Sequence, residues 1–93
     1  MKIRVENAYS DGHESTLEYD IPDADVPAFA LATEDEKKWP ICMEDGHAMW
    51  EFLWDWTGDG HGEDPDLGWF YKITILEAAD PKLVGLSREN AGN

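Results

Sequence analysis

The start of the chain alternates apolar with polar residues on both sides of a short turn, and this pattern restricts the fold most strongly. Apolar side chains alternate with polar ones at Ile3, Val5 and Tyr9 and again at Leu17, Tyr19 and Ile21, and Ser10-Asp11-Gly12 lies between the two segments. A period of two indicates strands with one buried face. A three-residue loop with Gly12 in the left-handed conformation keeps both apolar faces on one side of the hairpin. The predicted register pairs Val5 with Leu17, Ile3 with Tyr19, Arg4 with Glu18 and Lys2 with Asp20.

A further strand is predicted at Trp69 to Ala78, where both faces of the alternation are largely apolar. Two apolar faces are typical of a strand in the middle of a sheet. The last residues, Arg88 to Asn93, show no comparable pattern, and we expect them to be a frayed tail.

The best helix candidate runs from Asp45 to Trp56, with Asp45 as its N-cap and Gly58 ending it in the left-handed conformation. Apolar residues cover most of its circumference, which is too wide for a helix lying on one sheet. The helix is therefore either buried between two layers, the reading we favour, or partly exposed. In the second case Trp50 and Trp54 form a patch for a protein partner, since Trp is enriched in interface hot spots.

The segment from Pro22 to Pro40 is harder to interpret. We favour a short helix capped by Asp25 over an extended loop with a short strand at Ala28 to Ala32, and we expect another short strand at residues 41–43. The chain is therefore predicted to be a single α+β domain over residues 1–93. Its antiparallel sheet begins with the hairpin and packs against one Trp-rich helix.

The chain is strongly acidic, with 21 Asp and Glu against seven Lys and Arg and a formal net charge of -14. Five Trp among its 93 residues argue against a disordered acidic tail. Phosphate contacts need Lys and Arg, so direct binding to nucleic acids or to anionic membranes is disfavoured. The single cysteine, the lack of a signal-peptide pattern and the lack of an apolar run of about 18 residues favour a soluble cytoplasmic protein.

The loop after the helix resembles a calcium-binding pattern. Asp55, Thr57, Asp59 and Asp66 fall at positions 1, 3, 5 and 12 of an EF-hand loop, whose oxygen atoms bind Ca²⁺. The final position is Asp where that motif has Glu, and the chain continues into a strand where the motif has a helix. A solvated acidic turn is the default interpretation, and a calcium site is the alternative.

Other constellations give weaker indications of chemistry. Cys42, His47 and His61 match no closed zinc spacing. Ser15 and Ser87 lack the context of a nucleophile elbow, and the carboxylates of Asp59, Glu63, Asp64 and Asp66 sit in one loop without rigid support. We therefore expect no enzymatic activity, with an enzyme that uses His61 and its acidic neighbours as a third hypothesis, and no cofactor other than calcium in the alternative interpretation.

The C-terminal third carries the stretch TGDGHG from Thr57, then Leu67-Gly68, then Asp80-Pro81-Lys82-Leu83-Val84-Gly85. In these motifs the chain resembles small acidic proteins encoded by actinobacteriophages and their prophages, most of which have no assigned function. The resemblance implies a phage product that works in a bacterial cytoplasm, and it assigns no catalytic or binding residue.

We therefore expect a non-enzymatic protein that binds a host cytoplasmic protein with a basic surface, either as a monomer or as a homodimer. Either its acidic face or its Trp patch would contact the partner. A specific version of this hypothesis is nucleic-acid mimicry, in which carboxylates take the place of phosphates in a DNA- or RNA-binding channel of the partner. The expected partner-binding residues are Trp50, Glu51, Trp54, Asp55, Asp59, Glu63, Asp64 and Asp66.

Overall fold

In a computed structural model, which describes residues 1–61 and 66–92, the N-terminal hairpin has the predicted register. Strand β1 spans Lys2–Tyr9 and strand β2 spans Glu14–Asp20. Val5 lies opposite Leu17, and the other three predicted pairs are also confirmed. Gly12 has φ +93°, a conformation that costs glycine little because it has no Cβ.

Two further strands complete a four-stranded antiparallel sheet with the order β2-β1-β3-β4. Strand β3, Trp69–Glu77, pairs with β1 and with β4, so its predicted central position is confirmed. Strand β4 spans Ser87–Gly92, and the prediction of a frayed tail is therefore wrong for residues 88–92. The sequence of β4 is polar, but its backbone pairs with β3 on one side, and Arg88 packs over the ring of Trp50.

Helix α2 spans His47–Trp54 and lies on one face of the sheet. Its buried residues Met49, Trp50 and Leu53 join the core, whose other buried apolar members are Met1, Ile3, Val5, Ile21, Ile73 and Ile75. No second sheet covers α2 within the described residues, so the favoured two-layer burial is wrong. The flanking side chains are only partly buried around the core. The predicted α+β class, with a sheet against a Trp-rich helix, is confirmed.

The start of α2 differs from the prediction. The helix begins two residues later than expected, and Asp45 is not its N-cap because Asp45 Oδ1 accepts a hydrogen bond from the amide of Ala32, at 3.0 Å. Gly46 occupies the cap position with φ +73°. A Cβ at Gly46 would lie 2.2 Å from Cε2 of Phe29, so the close packing of this ring requires glycine there.

The helix predicted to start after Asp25 is wrong for most of its length, and only the turn that ends at Lys37, where its last turn was expected, is helical. A 3₁₀ turn spans Asp23–Asp25, an extended stretch follows, and a one-turn helix α1 spans Glu34–Lys37. Thr33 and Glu36 form a reciprocal capping box at its start, which explains why the helix begins there. The strands considered at residues 28–32 and 41–43 are absent from this described segment. A last 3₁₀ turn, Pro81–Leu83, leads into β4.

The sheet has two different faces. Its inner face packs against α2 and the loops. Its outer face, defined by residues 2, 4, 6 and 8 of β1 and their neighbours on the other strands, carries mainly polar side chains, and its apolar members are Ala8, Phe70 and Ala91. An antiparallel sheet commonly leaves one face to solvent. No helix in the described part of the chain is both long and apolar enough to span a bilayer.

Candidate functional site

A network of polar side chains surrounds Asp59 where the loop after α2 folds back onto the hairpin. The Asp59 carboxylate accepts hydrogen bonds from the Tyr9 hydroxyl at 3.0 Å, the Ser15 hydroxyl at 2.5 Å and the His61 amide at 3.0 Å. Nε2 of His13 lies 2.9 Å from the second carboxylate oxygen. Four groups from three parts of the chain therefore converge on a single carboxylate.

These contacts make Asp59 a weak base. The pKa of Asp59 is held well below its usual range, mainly by the hydroxyl of Ser15 and also by His13 and His61, although desolvation acts in the opposite direction. The Ser15 hydroxyl donates its hydrogen bond to this weakly basic carboxylate, whereas a serine nucleophile activated by histidine would donate its hydrogen bond to a ring nitrogen. The arrangement suits a structural anchor better than nucleophilic catalysis.

Two stacked histidines extend the network to the tip of the hairpin. The rings of His13 and His61 are nearly parallel, with an interplanar angle of 11° and centroids 3.8 Å apart. Nε2 of His61 lies 2.7 Å from Oδ2 of Asp11, and this bond lowers the pKa of the Asp11 carboxyl. Burial raises the pKa of the Tyr9 phenol, and the hydrogen bond to Tyr71 raises it further. The hairpin tip and the loop at residues 58–61 are thereby held together.

Asn7 is the buried member of this network. Its side chain lies on the inner face of β1 and is only 2% exposed. Its Oδ1 accepts a hydrogen bond from the Gly58 amide at 2.9 Å, and its Nδ2 donates to Ser15 Oγ at 3.2 Å. The sequence gives a signal for this role that our prediction missed, because Asn7 interrupts the apolar positions 3, 5 and 9 of an inward-facing strand.

The calcium ligand set is not assembled in the described residues. The carboxylate of Asp59 would have to give up its present hydrogen bonds to bind a cation, and the hydroxyl of Thr57 donates to the carbonyl of Trp54 at 2.6 Å. Residues 1–61 and 66–92 contain no cluster of three or more His, Cys, Asp or Glu side chains suited to a metal ion. Glu63, at position 9 of the predicted loop, lies outside the described residues.

A groove between α2 and β4 brings several predicted partner-binding residues together. It has a volume of about 280 Å³ and is lined by Glu44, His47, Trp50, Glu51, Trp54, Arg88, Glu89 and Asn90. The Arg88 guanidinium lies 5.6 Å from the centroid of the Trp50 ring and also pairs with Glu44. This internal cation occupies a place between an aromatic face and a carboxylate, where both attract it.

The tryptophans of the predicted patch are less exposed than expected. Trp50 is only 5% exposed and belongs to the core, because Arg88 and β4 cover it, so the predicted exposed patch at Trp50 is wrong. Trp54 is half-buried and remains at the groove. The most exposed tryptophan is Trp39, at 85%, which the prediction did not select.

The remaining predicted residues are distributed over several places. Glu51 is 75% exposed and pairs with His47 at 3.3 Å, and Asp55 is exposed one helical turn further on. Asp59 belongs to the hairpin network, and Asp66 lies in a turn before β3. Glu63 and Asp64 lie outside the described residues. Of the predicted residues, Glu51 and Trp54 line the groove next to the buried Trp50, and Asp55 follows directly after α2.

No family model, no curated protein and no solved structure matches this chain.

Proposed function

We propose that this protein is a non-enzymatic binding protein whose partner is a protein with a basic surface, and that the helix side of the molecule makes the contact. The distribution of cations carries the proposal. Six of the seven Lys and Arg lie no more than 3.9 Å from a carboxylate of the same chain, namely Lys2, Arg4, Lys37, Lys38, Lys72 and Arg88. Because 21 Asp and Glu stand against seven Lys and Arg, the cations are used up while the carboxylates remain in threefold excess.

The two faces of the sheet differ in their charge. The outer face carries three cations, Lys2, Arg4 and Lys72, among six acidic residues, Glu6, Glu14, Glu18, Asp20, Glu77 and Glu89. The stretch between Trp39 and Tyr71, which contains α2, has eight acidic residues and no Lys or Arg. Among the described residues of this stretch, Glu44, Glu51 and Asp55 are exposed and lie at or next to α2. Their carboxylates would steer a basic partner towards this side of the molecule.

Nucleic-acid mimicry is a more demanding form of this proposal. Glu51 and Asp55 lie one turn apart on α2, which corresponds to about 6 Å along the helix axis. A DNA strand carries one charge per about 3.4 Å, so α2 alone has a lower charge density than DNA. Mimicry would need carboxylates from neighbouring segments such as Glu44, whereas binding a basic protein surface needs only the local excess of negative charge.

The resemblance to actinobacteriophage proteins suggests where the partner would be found. Under that resemblance the partner is a bacterial host protein in the cytoplasm. A basic protein that normally binds nucleic acid would combine a cationic groove with the affinity for carboxylates that the helix side requires.

The test is capture of partners from an actinobacterial lysate, followed by reconstitution with the purified candidate and measurement of its Kd. The informative variant is E51Q/D55N, and the matched control is E14Q/D20N, which removes the same amount of charge from the outer face. We expect the first variant to weaken binding at least tenfold and the second to change it less than threefold, since close charge pairs contribute more than distant ones. Equal effects of the two variants would contradict the proposed surface.

A further inference from the structure

Strand β4 is a free edge of the sheet in the described residues, since it is the last strand in the order and pairs only with β3. The backbone amide of Ala91 donates a hydrogen bond to Oδ1 of Asn90 at 3.0 Å, so this amide points away from β3. Hydrogen-bonding direction alternates along an antiparallel strand, which places the backbone groups of Glu89 and Ser87 on the same free side. An edge of this kind is a template for another strand.

The groove between α2 and β4 borders this free edge. A strand added beside β4 would point every second side chain towards the inner face, where α2 lies. The added side chains would meet Trp54, which is half-buried, and Glu51, which is 75% exposed. Trp54 lies one turn after Trp50 on α2, and Glu51, which pairs with His47 at 3.3 Å, also lines the groove. A ring and a carboxylate, the two kinds of group that hold Arg88, are therefore present here a second time.

Arg88 shows which chemical group this surface accommodates. Its guanidinium is held by the Trp50 ring on one side and by Glu44 on the other, inside the same groove. A planar guanidinium stacks on an aromatic ring and forms two parallel bonds to a carboxylate, which an ammonium group does less well. The groove is therefore expected to prefer arginine to lysine.

We propose that an extended, arginine-containing segment of a protein partner pairs with the free edge of β4 and places a guanidinium between Trp54 and Glu51. The proposal rests on the proposed function, because it identifies the segment of the basic partner that would bind. Arginines at alternate positions of the segment, in an Arg-x-Arg pattern, would both point to the helix side. Backbone pairing supplies affinity in this mode, and the pocket for the alternate side chains supplies specificity.

The test uses three fluorescently labelled peptides of seven residues with equal charge. The first has arginine at alternate positions, the second has lysine at the same positions, and the third is the arginine peptide with its backbone amides N-methylated at every second residue. Fluorescence anisotropy measures the Kd of each peptide, and amide chemical shifts of the ¹⁵N-labelled protein locate the binding site. We expect the arginine peptide to bind about tenfold more tightly than either of the others, with the largest shifts at residues 87–91.

Two protein variants test the side-chain pocket. Trp54→Leu keeps an apolar side chain but removes the aromatic face, and Glu51→Gln keeps the shape but removes the charge. Each is expected to weaken the arginine peptide about fivefold, while Glu14→Gln on the outer face leaves its Kd unchanged. Far-UV circular dichroism confirms that each variant is folded. Glu51→Gln, which changes an exposed side chain, keeps the test informative if Trp54→Leu fails to fold.

The outcomes separate this inference from the proposed function. Equal binding of the N-methylated peptide, or shifts confined to residues away from β4 and α2, would overturn the edge-pairing inference while leaving the binding of a basic partner intact. If a captured basic protein binds and its contact is insensitive to both Trp54→Leu and Glu51→Gln, the inference fails alone. If neither the peptides nor any basic protein binds, the proposed function fails as well.

Discussion

Replacing Asn7 with valine tests whether the buried polar network stabilises the fold. Valine has the higher strand propensity, and its apolar side chain would ordinarily suit the inner face of β1. If the network contributed nothing, Asn7→Val should leave the protein equally stable or make it more stable. The sign of the change in unfolding free energy therefore distinguishes a structural anchor from a polar residue that the fold merely tolerates.

The magnitude follows from the two hydrogen bonds that Asn7 makes. Without Oδ1 the amide of Gly58 loses its acceptor in a partly buried place, at a cost of about 1–3 kcal/mol. Loss of the bond from Nδ2 to Ser15 adds about 1 kcal/mol. The higher strand propensity of valine, a scale that already reflects packing and burial on a pleated surface, returns about 1 kcal/mol. We therefore expect the free energy of unfolding to fall by about 1–3 kcal/mol.

Urea unfolding followed by tryptophan fluorescence measures this change. The matched control is Thr16→Val, which introduces the same residue on the exposed outer face of β2 and should stay within about 0.5 kcal/mol of the wild type. An unchanged slope with denaturant would show that only stability has changed. An Asn7→Val protein that is as stable as the wild type, or more stable, would refute the anchoring role of this network.

Three further measurements test other parts of the structure. The pKa of Asp59 is lowered in the folded state, so the ionised carboxylate should stabilise the fold above about pH 4 and lose this contribution as the pH falls below that value. Acid titration should therefore destabilise the wild type more than Asp59→Asn. Equal acid sensitivity of the two proteins would contradict the lowered pKa. Gly46→Ala places a Cβ against the ring of Phe29 at a left-handed position, whereas Gly60→Ala places a Cβ at a left-handed position with no atom within 4 Å. Thermal unfolding should show that Gly60→Ala loses about 1–2 kcal/mol of stability and that Gly46→Ala loses clearly more. Similar losses of stability would disprove the packing constraint at Gly46. Because a net charge of -14 repels itself, raising NaCl from 20 mM to 500 mM should raise the Tm, and a Tm that falls or stays constant would show that this repulsion is unimportant.

The sheet was predictable from the sequence where side chains determine it. The hairpin register followed from the two apolar faces and from the turn at Gly12, and β3 was recognised because both of its faces are apolar. Strand β4 was missed because Ser87–Gly92 has almost no apolar alternation, and its place is set by pairing with β3 and by the contact of Arg88 with Trp50. Long-range contacts of this kind leave no local pattern in the sequence.

The site was predictable only in part. Glu51 and Trp54 were selected because charge and tryptophan concentrate on one helix, and both lie at the groove. Asp59 was selected as a metal ligand because of its spacing, but its partners on the hairpin come from residues about 45 positions away. The stop in alternation at Asn7 was the one local sign of that network. In the fold, Thr33 and Glu36 matched the pattern of a capping box, which we did not use to predict the start of α1.

The salt dependence of binding tests the central claim most directly. The Kd of a reconstituted basic partner should be measured between 50 mM and 500 mM NaCl for the wild type, E51Q/D55N and E14Q/D20N. We predict that the wild type and E14Q/D20N lose affinity steeply and in parallel, and that E51Q/D55N starts weaker and has a shallower slope. Binding that is unaffected by salt, or three parallel lines of equal affinity, would contradict recognition through the acidic helix side.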